Sequence, residues 1–345
     1  MIGSRFLGVW LAACLASGCG GSDDTSGDQS GTGGISGSSG AGASGGSGAS
    51  GGSGGALGSG GSGGSAGSGG SAGSACFADI QDGPVQIDYE QFGPVILPSC
   101  AGTDHQVVEG VEQIVYLGDS ITAGDVISPI YTETLTPALQ QRFPDATIKN
   151  CSVQGARNND FLENDNQIAA CFPNGSDPLR TLIVITMGGN DIASYAKDHM
   201  PEAQALAEAD VMLQQFRDAI SWLREPAHFP NGSFVVFANV YEFTDTSGQL
   251  DSCALASAFG FSGTWAEGAS VLTHVNEQYM KIAVDTGTDM IFMAEHFCGH
   301  GFRKDDPALQ CYRGPDTPIY FDVTCIHPNA EGAALIAGLF LEVAN

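Results

Sequence analysis

The chain has 345 residues, of which 39 are acidic and 12 are lysine or arginine, so its formal net charge is −27. A surface this acidic repels nucleic acids and anionic membranes, which argues against a nucleic-acid-binding protein and against membrane binding through charge. This negative charge indicates solubility or a salty environment rather than a specific partner. The length leaves room for one or two domains.

The first 19 residues are typical of an export signal. Arg5 precedes a short apolar run at positions 6–11, which is too short to span a membrane. The segment Leu11-Ala12-Ala13-Cys14 resembles a bacterial lipobox, whose cysteine is lipidated after cleavage, and Ala16-Ser17-Gly18-Cys19 is a second candidate. The alternative is a plain secretory signal with incidental cysteines. We therefore expect an exported protein, either an outer-membrane lipoprotein that meets the membrane through its lipid alone, or an extracellular protein.

Residues 20–75 are almost entirely glycine, serine and alanine. A segment of this composition has too few apolar side chains to offset the entropy lost on ordering, so we predict a flexible linker with an r.m.s. reach of roughly 40 Å. Residues 76–345 are then predicted to form one compact domain with a large core.

Eight cysteines fall in this domain. Scattered cysteines in an exported chain predict up to four disulfides, but most of their connectivity stays open. One possible bridge, between Cys76 and Cys100, would close the irregular segment before the first strand. No C-x-x-C pair and no cluster of histidine and cysteine has zinc spacing, so we expect no metal site. The eight are Cys76, Cys100, Cys151, Cys171, Cys253, Cys298, Cys311 and Cys325.

Hydrophobic periodicity divides the domain into alternating strands and helices. In chain order they are a strand at 114–117, a helix at 129–143, a strand at 146–153, a helix at 158–170, a strand at 181–187, a helix at 202–224, a strand at 234–240, a helix at 271–284, a strand at 290–294 and a helix at 328–343, with irregular segments at 248–263 and 295–320. Strands that alternate with helices form right-handed βαβ units. The sequence therefore predicts an α/β fold, a three-layer α/β/α sandwich with a central parallel sheet.

The first strand ends at the turn Gly118-Asp119-Ser120, before a helical pattern begins. Open α/β sheets place ligand sites at the carboxyl ends of their strands. A serine there can present its hydroxyl to solvent, and its N–H, near a helix start, can face a negative charge. Those are the needs of a nucleophile whose reaction generates an oxyanion. The alternative is an ordinary polar βα loop.

Three further segments bring polar groups to the same edge of the sheet. The second strand delivers Gly155, the third delivers Asn190, and His327 precedes the last helix. Ester hydrolysis needs a nucleophile, a base, and donors to the tetrahedral oxyanion. Ser120 and His327 suit the first two roles. The backbone N–H groups of Ser120 and Gly155 and the Asn190 amide suit the third.

These residues, in this order from Gly118 to Gly332, resemble the SGNH hydrolases of the GDSL esterase/lipase family, above all in Gly-Asp-Ser-Ile-Thr-Ala-Gly and Gly-Gly-Asn-Asp. The resemblance implies a flavodoxin-like SGNH hydrolase fold and a carboxylic ester hydrolase that forms an acyl-enzyme on Ser120 without a cofactor. It also implies that Gly155 and Asn190 are oxyanion donors and that His327 is the general base. Lipid, acyl and acetyl esters are not separated by the sequence.

One position departs from the family pattern. The family usually has an aspartate three residues before its histidine, where this chain has Thr324. The nearest acid is Asp322, five residues before His327, and we predict that it orients the imidazole. The alternative is orientation by a backbone carbonyl. A disulfide at Cys325 would hold this loop rigid.

The remaining polar residues receive structural interpretations, and rival functions stay open. Asp191 is predicted to brace its loop, and His296 and His300 are predicted to be exposed loop histidines. The rivals are an acyltransferase or a carbohydrate O-deacetylase that uses the same site, and a non-catalytic binding lipoprotein, against which the complete set of site residues argues. We expect a monomer whose partner is an ester substrate, a small molecule, lipid or glycan.

Overall fold

The structure, a computed structural model, describes residues 100–124, 128–163 and 166–345. The predicted signal, the predicted linker and Cys76 lie outside these residues, so the predictions about them stay predictions. Within the described segments, no helix combines the length and the apolar character that crossing a membrane requires.

A five-stranded parallel sheet forms the centre of the domain. Its strands are β1 (Gln113–Gly118), β2 (Thr147–Asn150), β3 (Thr181–Thr186), β4 (Ser233–Ala238) and β5 (Asp289–Ile291). They lie in the order β2-β1-β3-β4-β5, and each neighbouring pair is parallel. This is the flavodoxin-like order, in which the strand order reverses between β1 and β3. The predicted α/β sandwich with a central parallel sheet is confirmed.

Three of the strands, β1, β3 and β4, contain continuous apolar runs because both of their faces are covered. Every residue of β1, β3, β4 and β5 is buried, whereas the edge strand β2 is partly exposed. Parallel strands with helices on both faces are rich in Val, Ile and Leu without alternation. This is why β3 is the strand most easily recognised from the sequence.

Eight helices of the described residues connect the strands and cover the sheet. They are α1 (Ser120–Ala123), α2 (Thr132–Arg142), α3 (Gln167–Cys171), α4 (Gly189–Lys197), α5 (Glu202–Arg224), α6 (Gly268–Thr286), α7 (Met293–Phe297) and α8 (Ala330–Val343). Helix α2 packs against α8, where Tyr131 stacks on Phe340 with ring centroids 5.3 Å apart. Helix α5 packs against α6, where Phe216 stacks on Tyr279 at 4.5 Å. Right-handed crossovers place these two pairs on opposite faces of the sheet.

Several predicted elements differ from the structure. The helix predicted at 158–170 is two pieces, a 3₁₀ turn at Asn158–Asp160 and α3, and Asn166 takes a left-handed φ of 41° before α3. The strand predicted at 290–294 ends at Ile291, and α7 begins at Met293. The prediction missed this boundary because a short apolar run alone does not distinguish a strand from a buried helix. Helix α4 was not predicted, because its first residues, Gly189 and Asn190, have turn character.

Three disulfides lie wholly within the described residues. They join Cys151 to Cys171, Cys253 to Cys325, and Cys298 to Cys311. Cys100 is disulfide-bonded as well, but its predicted partner, Cys76, lies outside the described residues. The second disulfide ties the loop before α8 to the segment that follows β4.

Candidate active site

The turn that carries Ser120 is held between the carboxyl ends of β1 and β3, where the strand order reverses. Gly118 has φ 131°, and a Cβ there would lie 2.1 Å from the Thr186 carbonyl oxygen, so only glycine fits. Asp119 is buried, and its Oδ1 accepts hydrogen bonds from the Ile121 N–H at 3.0 Å and from the Thr186 hydroxyl at 2.9 Å. These contacts hold the half-buried Ser120 at the first position of α1.

His327 faces this serine from the loop before α8. Ser120 Oγ lies 2.9 Å from His327 Nε2, although the two residues are 207 positions apart in sequence. The loop is closed by an antiparallel bridge between Phe321 and Pro328, and the Asp322 N–H donates to the His327 carbonyl at 2.9 Å. A hydroxyl and an imidazole at this separation can exchange a proton, which a serine nucleophile requires of its base.

Asp322 and the His327 imidazole both contact Ser128. Ser128 Oγ lies 2.5 Å from Asp322 Oδ2 and 3.3 Å from His327 Nδ1. The other carboxylate oxygen, Oδ1, accepts from the Thr324 N–H at 2.8 Å and from the Thr324 hydroxyl at 2.5 Å. Thr324 stands where the family has its aspartate, and here it holds Asp322 in place. Sequence analysis missed Ser128, because one serine in a loop forms no pattern.

The two predicted oxyanion donors differ in their surroundings. Asn190, the second residue of α4, is half-buried and lines the same cavity as Ser120 and His327. Its Nδ2 donates to the Ala156 carbonyl at 3.0 Å. Gly155 is exposed, has a left-handed φ of 78°, and is not among the described residues that line the cavity. The structure therefore places Asn190 in the same cavity lining as Ser120, and connects the segment of Gly155 to Asn190 through the neighbouring Ala156.

Two buried carboxylates, Asp119 and Asp191, lie in and beside the turn that carries Ser120. Burial raises the pKa of Asp119 to about 7, although hydrogen bonds from Thr186 and Ile121 lower it. Burial also raises the pKa of Asp191 to about 6, although hydrogen bonds from Asn158 lower it. The Asn158 N–H and side-chain amide each lie 3.2 Å from Asp191 Oδ2, so Asp191 joins the start of α4 to the segment after β2.

The histidines of the segment 295–320 are not exposed, and that prediction was wrong. His300 is buried, stacks on Tyr320 with ring centroids 3.7 Å apart, and its Nδ1 lies 2.8 Å from the Pro318 carbonyl. His296 is half-buried, with its Nε2 3.0 Å from the Cys100 carbonyl. Hydrogen bonds to backbone carbonyls replace the hydrogen bonds to water that the two rings lose on burial, so the segment can cover both rings.

A cavity of about 1000 Å³ includes Ser120 and His327 in its lining. One wall is a face of α4, since Asn190, Ala193 and Ala196 recur at helical spacing, and the start of α6 lines the cavity as well. Trp265 adds to the lining from the segment before α6, and its Nε1 donates to the Met200 carbonyl at 2.8 Å. The apolar part of the lining includes Ile192, Leu206, Phe261, Trp265 and Leu272.

Solved structures with a likeness to this chain include three enzymes. A phospholipase A1 from Streptomyces albidoflavus is 20% identical over 68% of this chain and 98% of its own, with a TM-score of 0.43. An acetylxylan esterase from Geobacillus stearothermophilus is 13% identical over 70% of this chain and 97% of its own, with a TM-score of 0.42. A gut microbial diltiazem-metabolizing enzyme is 17% identical over 70% of this chain, with a TM-score of 0.47, and the chain spans about half (49%) of that enzyme's length. We infer no substrate from these likenesses.

The family is shown by the sequence itself. No curated protein matches the chain. The GDSL-like Lipase/Acylhydrolase family matches over residues 116–335, which is more than half of the chain. The matched range begins in β1, contains Ser120, Asn190 and His327, and ends in α8. The chain therefore belongs to the GDSL-like lipase/acylhydrolase family and is a carboxylic ester hydrolase.

Proposed function

We propose that this protein is an exported serine esterase that forms an acyl-enzyme on Ser120. The observation that carries the proposal is the 2.9 Å contact between Ser120 Oγ and His327 Nε2 in the lining of a large cavity. A serine becomes a nucleophile when a base lies within hydrogen-bond reach, and the cavity provides room for an ester beside that pair.

In the proposed reaction, His327 Nε2 takes the proton of the Ser120 hydroxyl as its oxygen attacks the ester carbonyl carbon. The carbonyl oxygen becomes an oxyanion, which the N–H groups of Ser120 and Gly155 and the Asn190 amide would stabilise. The bond to the alcohol then breaks, and the alcohol leaves with the proton from His327. Water, deprotonated by His327, attacks the acyl carbon, the bond to Ser120 Oγ breaks, His327 returns the proton to Ser120, and the acid is released. Asp322 is the proposed acid that orients His327.

The preferred acyl group, we infer, is longer than acetyl. A cavity of about 1000 Å³ lies at the upper end of the range for small-molecule sites, roughly 300–1000 Å³. Each methylene buried against its apolar lining would stabilise the transition state by about 0.8 kcal/mol, which is about fourfold in kcat/KM. The described lining holds four glutamates and neither lysine nor arginine, so uncharged acyl chains are favoured over anionic ones.

The test is a series of p-nitrophenyl esters from acetate to dodecanoate, with Ser120→Ala as the blank. We expect kcat/KM to rise about fourfold per methylene over the first additions and then to level off when the cavity is full. If the wild type hydrolyses no ester faster than Ser120→Ala does, the serine esterase proposal fails. A maximum at acetate would contradict the inference about chain length alone.

A cavity-filling variant provides the control for chain length. Ala193 lines the cavity from α4, so Ala193→Phe should lower kcat/KM on the dodecanoate by at least about tenfold and change the acetate value by less than about twofold. Ala207→Phe makes the same change at an exposed position of α5, next to the lining residue Leu206. Identical chain-length profiles for the two variants would show that the acyl chain does not occupy this cavity.

Export is supported by the amino-terminal sequence and by the disulfides. Disulfides persist in oxidising compartments and are rare in the cytosol, and the described residues contain three complete ones. We propose that residues 20–75 connect the hydrolase domain to a lipid on Cys14 or Cys19, or that they follow a secretory signal that is cleaved off.

A further inference from the structure

We propose that Ser128 is a positioning residue that transmits the hydrogen bond of Asp322 to His327. The inference rests on the proposed serine esterase, because it concerns how the base of that reaction is oriented. It replaces a direct pair of aspartate and histidine by the series Asp322, Ser128, His327, Ser120. Nothing in the family resemblance assigns a role to Ser128.

The direction of each hydrogen bond follows from the chemistry of the groups. An ionised carboxylate only accepts, so the Ser128 hydroxyl donates to Asp322 Oδ2, at 2.5 Å. The Ser128 oxygen is then left to accept the Nδ1–H of His327, at 3.3 Å. With its proton on Nδ1, the imidazole presents the lone pair of Nε2 to the Ser120 hydroxyl, at 2.9 Å. This is the tautomer that a general base requires.

The loop explains why an intermediate residue is needed. Asp322 Oδ1 is engaged by the N–H and hydroxyl of Thr324, at 2.8 and 2.5 Å. The Thr324 hydroxyl also lies 3.3 Å from the His327 N–H. Asp322 is therefore held by its own loop through Oδ1 and turns Oδ2 to Ser128.

The series also predicts how the charged intermediate is stabilised. When His327 takes the proton of Ser120, its ring becomes positive, and Nδ1–H stays hydrogen-bonded to Ser128. Ser128 keeps its own proton throughout, because its hydroxyl donates to Asp322 and accepts from His327 without ionising. The negative charge of Asp322 thereby favours the imidazolium. Loss of either residue should disfavour it.

The test compares Ser128→Ala, Asp322→Asn and their double variant by the pH dependence of kcat on p-nitrophenyl acetate. Ser128→Ala should lower kcat about 10- to 100-fold with KM within about twofold, because the base remains but loses its orientation. The acid limb of the kcat profile should move to lower pH in both single variants, because the imidazolium is less stable. The double variant should be no slower than the worse single variant, since residues that act as a unit do not add.

Two other titratable groups among the described residues lie near the loop. The pKa of Asp119 is about 7 through burial, and this group is present in every variant compared. Burial, with the nearby charges of Asp119 and Asp322, holds the pKa of Tyr241 well above its ordinary value, so Tyr241 adds no limb below neutral pH. A shift of the acid limb that appears only when Ser128 or Asp322 is changed is therefore assigned to their contacts with His327.

Two further variants separate positioning from folding. Ser128→Thr keeps the hydroxyl and should restore at least about half of the wild-type kcat. Ser221→Ala makes the same change as Ser128→Ala at an exposed position of α5 and should behave like the wild type. Unchanged kcat in Ser128→Ala, fully additive losses in the double variant, or a loss that Ser128→Thr does not restore would each overturn the proposal. If Ser120→Ala itself kept wild-type activity, the serine esterase would fail instead.

Discussion

At the level of single residues, Asn190 lies between the cavity and the segment after β2. It lies at the start of α4 and lines the cavity with Ser120. Its amide also donates to the Ala156 carbonyl at 3.0 Å, so the segment that holds Gly155 is attached to α4. As the proposed oxyanion donor, an amide held in place before the reaction would need no reorganisation when the oxyanion forms. This is the setting in which a single amide has a large effect on rate.

Asn190→Ala should lower kcat by about 10²–10³ and change KM by less than about threefold, because an oxyanion donor acts on the transition state more than on the bound ester. Steady-state kinetics on p-nitrophenyl acetate measure both constants. Asn231→Ala is the control, since Asn231 is exposed and donates to the Pro178 carbonyl. A variant with wild-type kcat and a raised KM would assign Asn190 to substrate binding alone.

At the level of elements, the position of His327 depends on the loop between residues 321 and 328. A bridge between Phe321 and Pro328 closes the loop, and the disulfide from Cys253 to Cys325 ties it to the segment after β4. Cys325 is fully buried and has a left-handed φ of 74°, which L residues rarely adopt. We interpret the disulfide as the device that keeps the loop in this conformation.

Removing that disulfide, by Cys253→Ala with Cys325→Ala, should lower both stability and activity. Closing a loop of this length stabilises a fold by about 2–4 kcal/mol, and a displaced His327 should reduce kcat by at least about tenfold. Cys298→Ala with Cys311→Ala is the control, because the loop that this disulfide closes carries no proposed catalytic residue. Thermal unfolding and acetate kinetics report the two effects. Equal losses of kcat in both double variants would contradict the interpretation.

At the level of the whole molecule, some of the many carboxylates are buried rather than spread over the surface. Glu295 is 2% exposed, and burial raises its pKa from 4.5 to about 7, although the Asn239 amide, at 2.6 Å, lowers it. The folded chain therefore holds this proton more tightly than the unfolded chain. Its contribution to stability is fully present below the unfolded pKa and is lost as the pH rises through about 7.

Glu295→Gln cannot titrate, so its free energy of unfolding relative to the wild type should increase as the pH rises from about 4.5 to about 7.5. The increase should reach about 3 kcal/mol at most, since one pKa unit corresponds to about 1.4 kcal/mol. Urea unfolding at fixed salt and several pH values measures it. Glu331→Gln, at an exposed position of α8, is the matched control. A difference for Glu295→Gln that does not change with pH would show that its burial is not linked to a proton.

Features encoded by neighbouring residues could be predicted from the sequence. The strand Thr181–Thr186 is an unbroken apolar run, and the bounds of Glu202–Arg224 follow from the helical spacing of its apolar residues. The turn at Ser120 is predictable because a strand, a glycine and a helix start are adjacent in the chain. The α/β class and the candidate nucleophile could be predicted from these elements. Asn190 and His327 could be predicted from the order of the motifs along the chain.

Contacts between distant loops were decided only by the tertiary structure. Ser128 and Asp322 are 194 positions apart, and neither stands in a periodic pattern, so nothing in the chain predicts that they touch. The strand order β2-β1-β3-β4-β5 and the pairing of Cys253 with Cys325 likewise could not be predicted from the sequence. Periodicity reports which face of an element is buried, but not which loop meets which. That depends on how the finished sheet spaces its loops, and on the few hydrogen bonds and disulfides that hold them there.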